Sequence, residues 1–261
     1  RANEMPQPWF MWLAYNAAHK PLHVPPAHLH NQLEPAGNAV LMYAAMVEAL
    51  DTEIGRLLAS IEPARLANTT IIFLGDNGHV RSVVPPPYDK YPGKGTVYEG
   101  GINVPFIVTG PVVPRSSRGR TSSALVNTTD VYRTVADIAG VDLADVFPPR
   151  YKVDSVSLLP LLADPDRTPA ARRYAYAERF RPNGAGPYEL RQRAIRDGRW
   201  KLIRRLVPNS DPPFKDQLFD LDNAPPALDG DDRCPCPENL SGEALAAYER
   251  LSNALVDLSG P

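Results

Sequence analysis

The sequence predicts an α/β fold, a mostly parallel sheet flanked by helices, followed by a small C-terminal antiparallel sheet with a terminal helix. Three observations predict it. Short, continuous apolar runs at residues 9–15, 69–74 and 104–109 have the length and composition of buried strands. Helical patterns alternate with these runs, as in a sheet covered by helices. After about Arg167 the pattern changes to short, closely spaced strands, with Asp197-Gly198 between two of them as a two-residue hairpin signal. We therefore expect residues 1–167 to form part of an α/β core and residues 168–261 a C-terminal subdomain.

The run from Trp9 to Tyr15 reads as a buried strand that exits into His19, Lys20 and Pro21, and residues 21–36 as a Pro/His-rich loop. From residue 38 to 61, Val40, Tyr43, Val47, Leu50, Ile54, Leu57 and Ile61 recur at three- and four-residue spacing, which predicts an amphipathic helix ended by Pro63. Residues 69–74 form a second buried strand, leaving into Gly75-Asp76-Asn77-Gly78-His79. A long irregular stretch precedes the third strand at 104–109. A helix is expected over 127–139, with Thr128, Thr129 or Asp130 as N-cap and Gly140 as its stop. Residues 174–178, 193–196, 200–203 and 217–221 read as the short strands, and 241–258 as the terminal amphipathic helix.

Composition narrows the function classes. Of the 261 residues, 43% are hydrophobic and 22% charged, enough apolar material for a sizeable core and inconsistent with global disorder. The formal net charge of -2 argues against nucleic acid as a partner, because neutralising phosphates needs a basic excess. The longest apolar run, 9–15, is too short to span a bilayer, so no membrane partner is expected. Residue 1 is Arg and Met5 is followed at once by Pro, with no charged and apolar leader pattern, so the start reads as that of a fragment or a processed product. The 29 prolines cluster between apolar segments and stiffen loops. Cys234 and Cys236 sit one residue apart in Cys-Pro-Cys-Pro, which is not the Cys-x-x-Cys metal or redox pattern; free thiols and a strained local disulfide both fit.

Ligands of open parallel sheets bind beyond the carboxyl ends of strands. Two strand exits here are polar. Asp76 and Asn77 offer a carboxylate and an amide carbonyl, hard oxygen donors suited to Ca²⁺ or Mg²⁺, although for the dipeptide alone an Asx turn closed by Gly78 is the more ordinary reading. The long loop between residues 77 and 103 carries Gly93-Lys94-Gly95-Thr96-Val97-Tyr98-Glu99-Gly100-Gly101. A lysine between glycines can bring its ammonium onto a tetrahedral oxyanion; a solvated loop is the alternative. The segment is not a phosphate-binding P-loop, because Tyr88 and Gly95 stand where that pattern needs Gly and Ser or Thr. His19 follows a strand and has the chemistry to contact an anionic ester or protonate a leaving oxygen, or simply caps the strand. His23, His28 and His30 lack a zinc spacing and read as solvated loop residues. His79 fits a pocket lining and a solvated loop alike. Residues 68–70, 127–129 and 239–241 match the glycosylation triplet, which is common by chance.

Taken together, these segments resemble the type I sulfatase (arylsulfatase-like) family of the alkaline-phosphatase-like superfamily. The stretch from Ala14 to Pro21 resembles the segment whose histidine contacts the sulfate ester. Phe73-Leu74-Gly75-Asp76-Asn77-Gly78 resembles the strand end that supplies two calcium ligands, and residues 93–101 the segment whose lysine binds sulfate. Residues 127–140, 154–162, 193–203 and 218–221 resemble later parts of the family pattern, with Ser155 where Gly is common. The resemblance implies sulfuric ester hydrolysis, one Ca²⁺ held in part by Asp76 and Asn77, His19 and Lys94 as catalytic and substrate-binding residues, an aryl or carbohydrate sulfate ester as partner, and an extracytoplasmic location.

The departure from the family is specific. Its members attack sulfur with a formylglycine made from Cys or Ser in a Cys/Ser-x-Pro/Ala-x-Arg motif, and no such motif occurs here. Cys234-Pro235-Cys236-Pro237-Glu238 has Cys at the Pro position and Glu at the Arg position. The two further aspartates of the family's calcium site also have no counterpart. Both features lie upstream in the family, so the missing N-terminal half of the same protein is the expected partner. The alternatives to a sulfatase are a phosphodiesterase or phosphonate hydrolase of the same superfamily, and a catalytically inactive binding or structural remnant.

Overall fold

The structure is a computed structural model that describes residues 8–84, 92–167, 172–223, 229 and 237–259. It divides into two units, one of residues 1–71 and 79–91, the other of residues 72–78 and 92–261. Cys234 and Cys236 lie outside the described residues. No helix among those described is long and apolar enough to cross a membrane.

The first unit is built on α1 (Ala39–Ala59), whose apolar stripe buries Ala45, Met46 and Ala49. Asn38 caps it, its Oδ1 accepting from the Val40 and Leu41 N–H groups at 3.0 and 3.2 Å. The helix stops before Ile61, and Pro63 is not its terminator. Pro63 instead opens the short α2 (Pro63–Ala67), where a missing N–H costs nothing. The Pro/His-rich loop is strapped to α1: Asn31 N–H donates to Glu48 Oε2 at 2.6 Å and Thr52 Oγ1 donates to the Leu29 carbonyl at 3.1 Å.

One expected strand is absent. Residues 9–15 have no regular structure, and Phe10 and Trp12 are 68% and 70% exposed. A strand exists only by pairing, and no described residue pairs with this run, so its apolar side chains stay uncovered.

In the second unit, β1 (Ile71–Leu74) and β2 (Phe106–Thr109) form a two-stranded sheet. Both are shorter than expected and neither is fully buried, since Phe73 and Ile107 remain 39% and 59% exposed. Between them lies α3 (Glu99–Ile102), one turn long. α4 (Asp130–Ile138) begins later than residue 127; its N-cap is Thr129, one of the three residues expected, although the threonine side chain makes no capping hydrogen bond. Asp130 is the first helical residue and is fully buried. Its carboxylate accepts from Asn127 N–H at 2.8 Å and Val156 N–H at 3.0 Å and pairs with Arg172. This ties the segment before α6 (Leu159–Ala163) to α4; α5 (Leu143–Val146) lies between the two.

The C-terminal strands are all present, and longer than their apolar cores suggested. β3 (Ala175–Arg181), β4 (Leu190–Arg196), β5 (Trp200–Leu206) and β6 (Phe214–Asp220) form an antiparallel sheet in that order. The Asp197-Gly198 turn is closed by Asp197 Oδ1, which accepts from the Arg199 and Trp200 N–H groups at 2.9 and 2.7 Å. Alternation along the strands gives the sheet two faces. Ile195, Trp200, Leu202 and Leu218 pack against Ala247, Leu251, Ala254 and Leu255 of α7 (Gly242–Ser259). Ala194, Ile203 and Phe219 pack on Val97 from the other side.

Leu251 is fully buried at the centre of the sheet–helix core, so Leu251→Ala is expected to lower the unfolding free energy by about 2–5 kcal/mol in urea denaturation. The Arg199 guanidinium beside Asp220 holds that carboxyl at about 2, below its ordinary 3.8. A depressed acid stabilises the fold above its unfolded value and loses that contribution as pH falls through the folded one. Asp220→Asn is therefore expected to be less stable than the wild type at neutral pH, with the gap closing as pH falls from 3.8 towards about 2.

Candidate functional site

β1 runs straight into the turn at residues 75–78, which exposes Asp76 and leaves Asn77 half-buried. Asn77 Nδ2–H donates to the Gly78 carbonyl at 3.1 Å, which fixes the amide and leaves Oδ1 without a partner among the described residues. Among the described residues no side-chain oxygen of Asp76 or Asn77 accepts a backbone N–H, and the Gly78 N–H goes to Gly101 instead, so the pair does not form the Asx turn that was its alternative reading.

The Asp76-Asn77 turn and the Lys94 segment interlock through their backbones. Gly78 N–H donates to the Gly101 carbonyl at 2.9 Å. A β-carbon on Gly78 would lie 1.9 Å from the Gly100 carbonyl oxygen, and one on Gly101 only 2.4 Å from the Thr96 carbonyl oxygen. Only glycine permits either approach. Within the segment, Thr96 Oγ1 donates to the Gly93 carbonyl at 2.7 Å, so the loop is folded on itself rather than splayed in solvent. Lys94 is exposed and has no carboxylate partner among the described residues.

The chain beyond Lys94 is anchored. Val97 is 2% exposed and packs on Ala194, Ile203 and Phe219. The Tyr98 ring meets Phe219 edge-on at 6.0 Å between centroids, and its hydroxyl bonds Gln217 Oε1. Glu99 is buried and holds four groups. Its Oε1 pairs with Lys201 Nζ at 2.9 Å, its Oε2 accepts from Arg196 and from Asn103 Nδ2 at 3.1 Å each, and its backbone N–H donates to Asp229 Oδ2 at 2.7 Å. Lys201 Nζ also reaches Asp229 Oδ1 at 2.7 Å. Two cations thus balance two carboxylates. Burial pushes the Asp229 carboxyl above its ordinary value, with the Lys201 ammonium opposing the shift.

His19 belongs to the first unit, and Asp76, Asn77 and Lys94 belong to the second. It is exposed, and its Nδ1 lies 2.8 Å from the Lys20 carbonyl. A carbonyl only accepts, so Nδ1 carries the proton and Nε2 is the nitrogen left for a ligand. His23 and His28 are exposed, as expected for loop residues, whereas His30 and His79 are half-buried. His79 Nε2 is enclosed with no hydrogen-bond partner among the described residues, which is not the environment of a solvated loop side chain.

Among the described residues, no three His, Cys, Asp or Glu side chains converge into a metal site. Asp76 and Asn77 alone supply two hard oxygens, fewer than the six to eight that Ca²⁺ takes. They fit such an ion as a partial ligand set.

Sequence reasoning did not find Glu99, Lys201 or Asp229. A signal existed for Lys201: it stands between Trp200 and Leu202-Ile203 in an apolar strand, where an unpaired ammonium would be costly.

The sulfatase family model matches residues 1–141, more than half of the chain. The chain belongs to the sulfatase family. It is 31% identical to the choline-sulfatase of Rhizobium meliloti (strain 1021) over 185 residues, which is 70% of this chain but 31% of that protein. Among solved structures, Ps i-CgsB in complex with k-i-k-neocarrahexaose superimposes on 98% of this chain and 52% of its own with a TM-score of 0.67 at 25% identity. The phosphonate monoester hydrolase SpPMH of Silicibacter pomeroyi shares the fold, with a TM-score of 0.58 at 21% identity over 84% of this chain and 39% of its own. The chain thus spans between about a third and a half of the length of these sulfatase-fold proteins.

Removing Lys201 leaves two buried carboxylates facing only Arg196. Lys201→Met is expected to cost about 3–5 kcal/mol of stability in urea denaturation at neutral pH.

Proposed function

We propose that the complete protein hydrolyses sulfate esters and that this chain contributes part of the sulfate- and cation-binding site. The observation that carries the reading is the backbone interlock between the Asp76-Asn77 turn and the glycine-flanked Lys94 segment. It brings a strand end carrying hard oxygens against the glycine-flanked segment whose lysine, Lys94, is exposed and has no carboxylate partner among the described residues. Membership of the sulfatase family supports the same chemistry, and the carrageenan hexasaccharide in the Ps i-CgsB complex supports a sulfated carbohydrate as substrate class.

In this reading the Lys94 ammonium binds the sulfate oxygens and offsets the charge that builds on them during attack on sulfur. His19, held in orientation by its Nδ1–H bond to the Lys20 carbonyl, turns Nε2 towards the ester and, when it acts as the imidazolium, gives the Nε2 proton to the departing alcohol or phenol oxygen. Asp76 and Asn77 Oδ1 would hold a divalent cation, which we take to be Ca²⁺. When bound, that ion supplies Lewis-acid stabilisation of negative charge. The nucleophile and the remaining cation ligands come from polypeptide upstream of Arg1, since this chain has no Cys/Ser-x-Pro/Ala-x-Arg motif. The same reading takes residues 1–167 as part of the core, with β1 and β2 in a mostly parallel sheet, and residues 168–261 as the C-terminal subdomain.

Phosphonate or phosphodiester hydrolysis is the second reading, favoured by the fold shared with the phosphonate monoester hydrolase. A lysine and a cation serve either tetrahedral anion. Parallel assays of the complete protein with an aryl sulfate and an aryl phosphate diester separate the two. Lys94→Ala is expected to lower kcat/KM for the aryl sulfate by about 100-fold or more. Unchanged turnover in that variant removes Lys94 from the mechanism, and a faster phosphate diester replaces the sulfatase reading with its rival.

A further inference from the structure

The sheet face that receives Val97 and Tyr98 continues beyond them. Ala177, Ala194, Ile203 and Gln217 are partners in one row across the four strands, and Tyr98 bonds the last of them. Two residues further along each strand, the next row on the same face reads Arg179, Gln192, Arg205, Lys215. The side-chain period of two places it about 7 Å from the first. Arg181 extends the β3 end of the row, again on this face.

These cations stand apart from every other arginine of the sheet's outer positions. On the α7 face, Arg191 and Arg193 pair with Glu178, and Arg204 pairs with Asp216. Among the described residues, Arg179, Arg181, Arg205 and Lys215 have no carboxylate partner; Arg179 reaches only Gln192 Oε1, at 3.5 Å. Gln192 is 7% exposed, whereas Arg205 and Lys215 are exposed. Arg205 and Lys215 are direct cross-strand partners, and like charges so placed repel. The chain carries a net charge of -2, so the row is a local feature and not the spill-over of a basic protein. Nothing among the described residues offsets its repulsion, but an anion lying across the strands would. Guanidinium groups match the planar, two-oxygen face of a sulfate or carboxylate.

We propose that Arg179, Gln192, Arg205 and Lys215, with Arg181 at the edge, form a second anion subsite that takes a further sulfate or carboxylate of a polyanionic saccharide. The inference rests on the sulfate-ester reading for its choice of substrate, because the row lies one strand repeat beyond the residue that anchors the Lys94 segment. The subsite binds and orients; the chemistry stays at Lys94. A saccharide with several anionic groups then spans both, while a small aryl sulfate reaches only the first.

The test uses the complete protein and the double variant Arg205→Gln/Lys215→Gln. Binding of a dextran sulfate oligosaccharide is measured by calorimetry at low and at physiological salt, with unsulfated dextran as control. Kd is expected to rise about tenfold at physiological salt, with a shallower salt dependence. KM for a multiply sulfated oligosaccharide rises in parallel, while kcat, and kcat/KM for an aryl sulfate, stay at the wild-type value. The charge-retaining Arg205→Lys/Lys215→Arg variant keeps Kd within about threefold of wild type, which separates loss of charge from loss of fold. An unchanged Kd in the Gln variant overturns the subsite, as does an equal loss on both substrates. So does duplex DNA of matched charge binding as tightly as the saccharide. If the wild type turns over no sulfate ester yet binds the sulfated saccharide through this row, the sulfatase reading fails and the subsite stands.

Discussion

The four-group cluster of Lys201, Arg196, Glu99 and Asp229 is the constraint on which the second unit depends. Removing these charges from water costs several kcal/mol per ion, and that cost is met only when every group is paired in good geometry. Each of the four is so paired. Glu99 is buried and has two cations and an amide, and Lys201 bridges two carboxylates. A buried cluster of this kind contributes less to net stability than to uniqueness, because any slip of the loop against the sheet leaves an ion unpaired. It therefore fixes where the 93–101 segment sits, and with it where Lys94 points.

The interlocked glycines complete that fixation at the other end of the segment. Glu99 holds the C-terminal side of the loop to the sheet, and the Gly78–Gly101 contact holds it to the exit of β1. Lys94 is left as the exposed group on a backbone restrained from both directions. A cation positioned in this way loses little further freedom on binding an anion, which is the physical content of preorganisation. The same sheet carries the basic row, without a carboxylate partner among the described residues, on the face that receives Val97 and Tyr98, so one scaffold positions both the candidate sulfate ligand and the candidate second subsite.

The exposure of residues 9–15, Phe73 and Ile107 has the opposite character. These are apolar side chains in segments whose sequence asks for burial, and the described residues do not provide it. Local pattern set their hydrophobicity correctly. It could not say whether a pairing strand is at hand, since that depends on chain elsewhere. The C-terminal subdomain met no such difficulty: its strands pair with their sequence neighbours through short turns, and α7 covers one face.

The sequence by itself determined the α/β class, the α1 helix, the hairpin at Asp197-Gly198, the terminal helix and the family, because each is written in contiguous residues. Local periodicity, turn chemistry and short motifs need no tertiary partner to be read. It also singled out Asp76, Asn77, Lys94 and His19 as the residues with suitable chemistry. Only the tertiary structure decided that the Asp76-Asn77 turn and the Lys94 segment meet through Gly78 and Gly101. Only it paired Lys201 with Glu99 across a separation of 102 residues, and aligned Arg179, Arg205 and Lys215 across three strands. Strand register and the partner of a buried charge are properties of chain segments brought together, and no local pattern carries them.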